Sequence, residues 1–294
     1  MSLQLMKDLR SALANLNPSQ VRESAERPIR VALAADSPEV LVAMEDFLVP
    51  ASVSHEKRME AMETLYREGD PGAPEHFDLV LHEENLDLAE KNAFPFYARN
   101  PQQTVEEILA ERSDLGLALA RNFVPFRRPV VDRIVNSIAR ENALFAVATA
   151  LPNFVPSIFE LPWAAGEFAS DTVVLTMNQI RMAFLIAAAS DNEVGYREQK
   201  AQIASIITGA FGWRTLAREL VGKIPFGGGV IPKGAIAWAG TYVVGLSLER
   251  YHRLGYGLSR AERKEAYQAA LERGKSVVEA LLEGFKKGAQ RIHA

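Results

Sequence analysis

The sequence predicts an α+β protein that is mostly α-helical: a small α/β unit over residues 1–100, then an all-α domain of apolar helices over 101–294. Two observations carry this. Two short, near-continuously apolar runs lie in the first hundred residues, and strand-like alternation nearly vanishes after Pro101, where apolar positions recur at helical spacing.

Taken in order, Leu3, Met6, Leu9, Leu13 and Leu16 recur at helical spacing and predict a short amphipathic helix ended by Pro18, with none of the regions of a signal peptide. Residues 28–34 read as a strand, and Ser37-Pro38 then supplies an N-cap with proline at the first helical position, opening a helix to about Leu48. Met59, Met62 and Tyr66 continue a helical period across 55–67. Turn residues from Gly69 to Pro74 precede a second strand at Phe77 to Leu81. Both strands are apolar in the way a covered parallel sheet requires. Pro95, Asn100 and Pro101 mark a boundary near 95–102. Beyond it, helices are expected at about 103–122, 128–150, 163–190, 197–221, 232–254 and 260–288, separated by prolines and by Gly195, Gly227 to Gly229, Gly255 and Gly257.

Composition narrows the function classes. The chain has 294 residues and no cysteine, which removes disulfides, thiolate-ligated metals and cysteine nucleophiles and fits the cytoplasm. Net charge is −4, distributed as −8 over residues 1–100, 0 over 101–248 and +4 over 249–294. No dense basic patch with interleaved aromatics occurs, so no nucleic-acid partner is expected. The basic tail suits an acidic partner or anionic lipid, although alternating signs such as Arg260, Glu262, Arg263, Lys264 and Glu265 usually mark a solvated helix face. The partners left open are another protein, a membrane surface or insertion at the inner membrane, and a second copy of the chain.

Several blocks carry a family resemblance over about 105–285: Ala-Arg-Glu-Asn-Ala-Leu-Phe (139–145), Leu-Pro-Asn (151–153), Leu-Pro-Trp-Ala (161–164), Met-Asn-Gln-Ile-Arg (177–181), Gly-Ala-Phe-Gly-Trp-Arg (209–214) and Lys-Ile-Pro-Phe-Gly-Gly-Gly (223–229). In their order they resemble the bacterial domain of unknown function that often sits C-terminal to a small GTPase-like domain. The resemblance invites comparison of residues 29–48 with a GTPase's first strand, phosphate loop and helix, and that motif fails. Where a phosphate loop needs glycines and a lysine, this chain has Ala-Ala-Asp-Ser-Pro-Glu-Val-Leu, with Asp36 and Glu39 where phosphate charge would sit. Phe77 to Leu81 leads into His82-Glu83-Glu84-Asn85, not into a metal-contacting Asp-x-x-Gly. The resemblance therefore implies a regulatory or scaffolding descendant, with no cofactor.

The five histidines offer no close metal-ligand pair, and His82-Glu83-Glu84 is the one tempting acid/base cluster, more readily a solvated loop. A stronger polar signal is Glu167, Asp171, Asn178 and Arg181, whose spacing at about 100° per residue confines them to one helix face. Charges in such apolar surroundings need partners, and Arg140, Glu141 and Asn142 are candidates. The stripe reads first as a structural network fixing helix register, with a solvated face or a ligand, ion or enzyme pocket as the alternatives. Gly227, Gly228 and Gly229, followed by Ala237, Thr241 and Gly245 at every fourth position, predict close approach of helix backbones. Residues 142–159 hold no charge and 224–248 only Lys233, so both are candidates for shallow membrane insertion, interrupted by prolines. These readings lean towards a non-catalytic interaction or regulatory protein, with an enzyme or a nucleotide switch using a non-standard site as rivals.

Overall fold

A computed structural model describes residues 11–14, 16–67, 70–86, 88, 91–150, 171–209 and 229–292. Helix dominates it, beside one small parallel sheet. The chain forms two compact units: a sheet-bearing unit of Ser19–Asp132 with Ala187–Glu193, and a helical unit of Met1–Pro18, Arg133–Ile186 and Val194–Ala294. The pattern break at 95–102 falls inside the sheet-bearing unit.

That unit opens with α1 (Pro18–Ala25), followed by β1 (Val31–Ala34), α2 (Pro38–Leu48), α3 (His55–Met62), β2 (Leu65–Arg67), β3 (Leu79–Glu83) and β4 (Ala93–Phe96). All pairings are parallel in the order β2-β1-β3-β4, with Leu33 opposite Arg67 on one side and Leu81 on the other. Every residue of β1 is buried, as expected of an interior strand covered on both faces. On one side α2 packs on β1 and β3, burying Met44 and Leu48, and Phe47 meets Phe96 of β4 at 5.6 Å between ring centroids.

The differences from the sequence reading have local causes. The first strand starts at Val31 because the Arg30 amide donates to the Asp78 carboxylate at 3.0 Å instead of to a neighbouring strand. The second begins at Leu79, since the Phe77 carbonyl accepts from the Asn92 side chain and the Asp78 amide bonds Arg30. Helical spacing through Tyr66 was misleading: α3 stops at Met62, and three residues form the edge strand β2. Strand β4 contains Pro95, which an edge strand tolerates. Pro18 starts α1 instead of ending a helix; residues 11–14 are helical, and the earlier part of the expected amphipathic helix lies outside the described residues.

Next come α4 (Pro101–Glu111), a 3-10 turn (Ser113–Leu115) and α5 (Gly116–Asn122). One helix was expected over 103–122. Its interruption is held by Arg112, which binds Asp114 at 3.1 Å and the Asp78 carbonyl at 2.6 Å. The long α6 (Val124–Ala148) absorbs Pro125 in its first turn, where a missing N–H costs nothing, and Pro129 further in.

Two residues beyond α7 (Asp171–Ala189) lies Asp191, a non-glycine residue at φ +57°. Its carboxylate is only 10% exposed and gathers Lys57, Arg121 and Arg127 at 3.3, 3.8 and 3.6 Å. All four belong to the sheet-bearing unit.

The helical unit is completed by residues 200–209 (α8), α9 (Val230–Leu254) and α10 (Arg260–Ile292). Ala139, Ala143 and Val147 of α6, Ala235, Trp238, Ala239 and Val243 of α9, and Tyr267, Ala270, Leu271 and Val278 of α10 form one core. Each set follows the three-to-four-residue spacing of a single helix face. Gly255, at φ +83°, closes α9 in the left-handed cap that a glycine adopts without penalty. A capping box opens α10: the Glu262 carboxylate accepts from the Ser259 amide at 2.8 Å while Ser259 Oγ accepts from the Glu262 amide at 3.3 Å.

Gly245 is a point of very close approach. A Cβ there would lie 2.6 Å from both γ-carbons of Val135 and 3.1 Å from its Cβ. Gly245→Ala is therefore expected to destabilise by about 1–2 kcal/mol, overpacking outweighing the better helix propensity of alanine. Val135→Ala in the same chain should recover most of the loss. Denaturant unfolding of the four-member cycle checks this, and strictly additive effects would show that the contact is not what limits residue 245.

Candidate functional site

In a parallel sheet, ligands gather beyond the carboxyl ends of strands at the point where connections diverge, here between β1 and β3. The residues there are Asp36, Ser37 and Glu39 after β1 and His82, Glu83 and Glu84 around the end of β3. One Glu83 carboxylate oxygen accepts from the backbone amides of both Asp36 and Ser37, each at 3.1 Å. Ser37 Oγ donates to the Glu39 carboxylate at 2.8 Å. Glu39's own backbone amide, then that hydroxyl, hold its pKa below the ordinary value. The positive end of α2 thus faces two carboxylates of the protein itself.

His82 is buried in β3, with Nδ1 2.9 Å from the Glu83 carbonyl. His82 and Glu83 therefore belong to the end of the interior strand β3, whereas Glu84 is exposed in the turn that follows, as its sequence suggested. Among the described residues no group of three or more acidic or histidine side chains could hold a metal ion.

In the helical unit the polar stripe meets α6. Asn178 Nδ2 donates to Asn142 Oδ1 at 2.7 Å, and both residues are fully buried. Asn142 Nδ2 donates in turn to Thr241 Oγ1 of α9 at 2.7 Å and to the Leu175 carbonyl at 3.3 Å. Gln179 Nε2 reaches the same threonine oxygen at 3.3 Å. Arg181 forms an ion pair with Glu141, both partly exposed. Asp171 is the first residue of α7, and Glu167 lies outside the described residues.

Of the small-residue series, Gly227 and Gly228 also lie outside the described residues, whereas Gly229 is the N-cap of α9. Ala237 and Gly245 are buried on α9. Thr241 does more than its size suggested, since its hydroxyl joins three helices. Sequence reasoning missed Thr241 and Gln179 as members of the network; the signal was a lone hydroxyl between alanine, glycine and valine on a buried face.

Arg181, Asn178 and Thr241 do not line the cavity that the unit contains. That cavity, of about 330 Å³, lies beside α8, α9 and the start of α10 and is bounded by Gln202, Ile206, Val243, Leu248, Leu258 and Arg263 among others. Its wall is fixed where the Leu258 amide donates to Ser247 Oγ at 3.0 Å and Gly257 comes so close that a Cβ would lie 2.6 Å from that oxygen.

No family model, curated protein or solved structure matches the chain.

Proposed function

We propose that this chain is a non-catalytic regulatory or interaction protein whose sheet-bearing unit has the layout of a nucleotide-binding βαβ arrangement without its use. The observation that supports the reading is the Glu83 carboxylate seated on the Asp36 and Ser37 amides. A phosphate approaching those amides would have to displace one carboxylate and lie beside a second, Glu39, with no lysine to compensate. The resemblance of residues 105–285 to a domain that accompanies small GTPases gives the same direction: a protein that works through partners. The partner is a protein, and the compartment the cytoplasm.

Titration with a fluorescent guanine nucleotide in magnesium is expected to be flat. Micromolar affinity that is lost on altering the loop, as in Asp36→Arg, would overturn the reading and favour a nucleotide switch.

The membrane alternative is weighed by where the apolar faces go. One helical stretch among the described residues, Thr172–Ala189, is long and apolar enough to cross a bilayer, and 78% of it is buried within the protein. The apolar residues of α9 pack on α6 and α10. Burial at about 25 cal/mol per Å² inside the protein competes directly with insertion into lipid. After carbonate washing of native membranes the chain is therefore expected in the supernatant; retention in the pellet would favour embedding of the 142–159 and 224–248 segments.

A further inference from the structure

The cavity of the helical unit has a chemistry that neither the sheet edge nor the buried network shares. Its long walls are apolar, from Ile206, Val243, Leu248 and Leu258. Two polar groups of its lining residues lack partners among the described residues. Gln202 Oε1 is buried without a hydrogen bond. Arg263 is half-buried and has no acidic partner among the described residues, whereas its neighbours are neutralised: Arg250 by Glu262 at 2.5 Å and Arg253 by Glu249 at 2.8 Å. The Arg250 guanidinium and the Ser259 amide together hold the Glu262 pKa down at about 2, so that carboxylate is committed and does not serve Arg263.

A guanidinium beside apolar walls stabilises an anion more than it does in open water, because low local polarity strengthens the interaction and a carboxylate or phosphate matches its forked donors. At ~30 Å³ per water-sized group, the volume takes about eleven such groups, near the lower end for ligand pockets. We infer that this cavity binds a small amphipathic anion, with a single carboxylate or phosphate head at Arg263 and an apolar body along Val243 and Leu248. Occupancy would tie the start of α10 to α8 and α9, giving the protein a ligand-dependent state that does not depend on the sheet edge.

The test uses the full chain with decanoate, decyl phosphate and the neutral decanol, measured by isothermal titration, with circular dichroism confirming that each variant folds. Saturable one-to-one binding of an anionic probe is expected, and comparison of the two shows which head group is preferred. Arg263→Gln should weaken the anionic probes by about tenfold or more while leaving decanol unchanged, and Arg263→Lys, which keeps the charge and loses the fork, should fall between that variant and the wild type. Val244→Trp, which fills the cavity from its α9 wall, should weaken all three. Absence of saturable binding, anionic affinity indifferent to Arg263→Gln, or binding that survives Val244→Trp would each overturn the inference.

Discussion

Replacing Asn142 by leucine is expected to lower the stability of the helical unit by about 3 kcal/mol, although the two side chains are similar in size. The loss has nothing to do with packing volume. Asn142 donates to Thr241 and Leu175 and accepts from Asn178, all at depths where water does not replace it. Leucine would leave the Asn178 side-chain amide without its acceptor and cut Thr241 Oγ1 back to its contact with Gln179, and a stranded buried group costs on the order of 1–3 kcal/mol. Thermal unfolding should show a drop of about 6–12 °C. The quadruple variant Asn142→Leu, Asn178→Leu, Gln179→Leu, Thr241→Val should recover much of it, because removing the four polar side chains together strands none of them. Unchanged melting in Asn142→Leu would mean that the network contributes little; a change in function without a change in stability would make it a binding site.

The second large effect is at Asp191. Asp191→Ala is expected to cost about 3 kcal/mol, since it leaves Lys57, Arg121 and Arg127 facing one another with their common carboxylate gone. It also places alanine at φ +57°, which aspartate and asparagine tolerate better. Asp191→Asn separates the two contributions: it keeps the backbone preference and removes the charge. Chemical denaturation monitoring the sheet-bearing unit should rank the wild type above Asp191→Asn, and Asp191→Asn above Asp191→Ala. Equal stability of asparagine and wild type would show that the three cations are satisfied without the carboxylate.

What the sequence disclosed depended on how local the determining forces were. The helix from Pro38 to Leu48 was legible because its N-cap, its proline and its apolar face lie within a dozen residues. The edge strands β2 and β4 were not, because each has three or four residues and is fixed by pairing with another strand and not by a local pattern. The same contrast holds at the sites. A fixed angular offset places Asn178 and Arg181 on one face of α7, and the polar Glu141 and Asn142 of α6 are visible as partners in the sequence. Asp191 gave no such signal, since its meaning comes from Lys57 and Arg121, residues far away along the chain. The Glu83 contact was equally hidden: absence of a phosphate motif is readable from a loop, but the identity of the group that takes the phosphate's place is not.

The path of the chain has a consequence for synthesis. The sheet-bearing unit is encoded in two pieces, Ser19–Asp132 and Ala187–Glu193. When Asp132 leaves the ribosome the four strands are available, yet the anion for Lys57, Arg121 and Arg127 is still to be translated. At roughly 5–20 residues per second, the intervening stretch of about 60 residues imposes a wait of about 3–12 s. During that interval Lys57 and Arg121 have only Glu60 and Glu26, and Arg127 lacks its carboxylate, so chaperone engagement should concentrate there. A stalled nascent chain long enough to release residue 132 but not Asp191 from the ribosome would then be cut more readily by protease than one from which Glu193 has emerged.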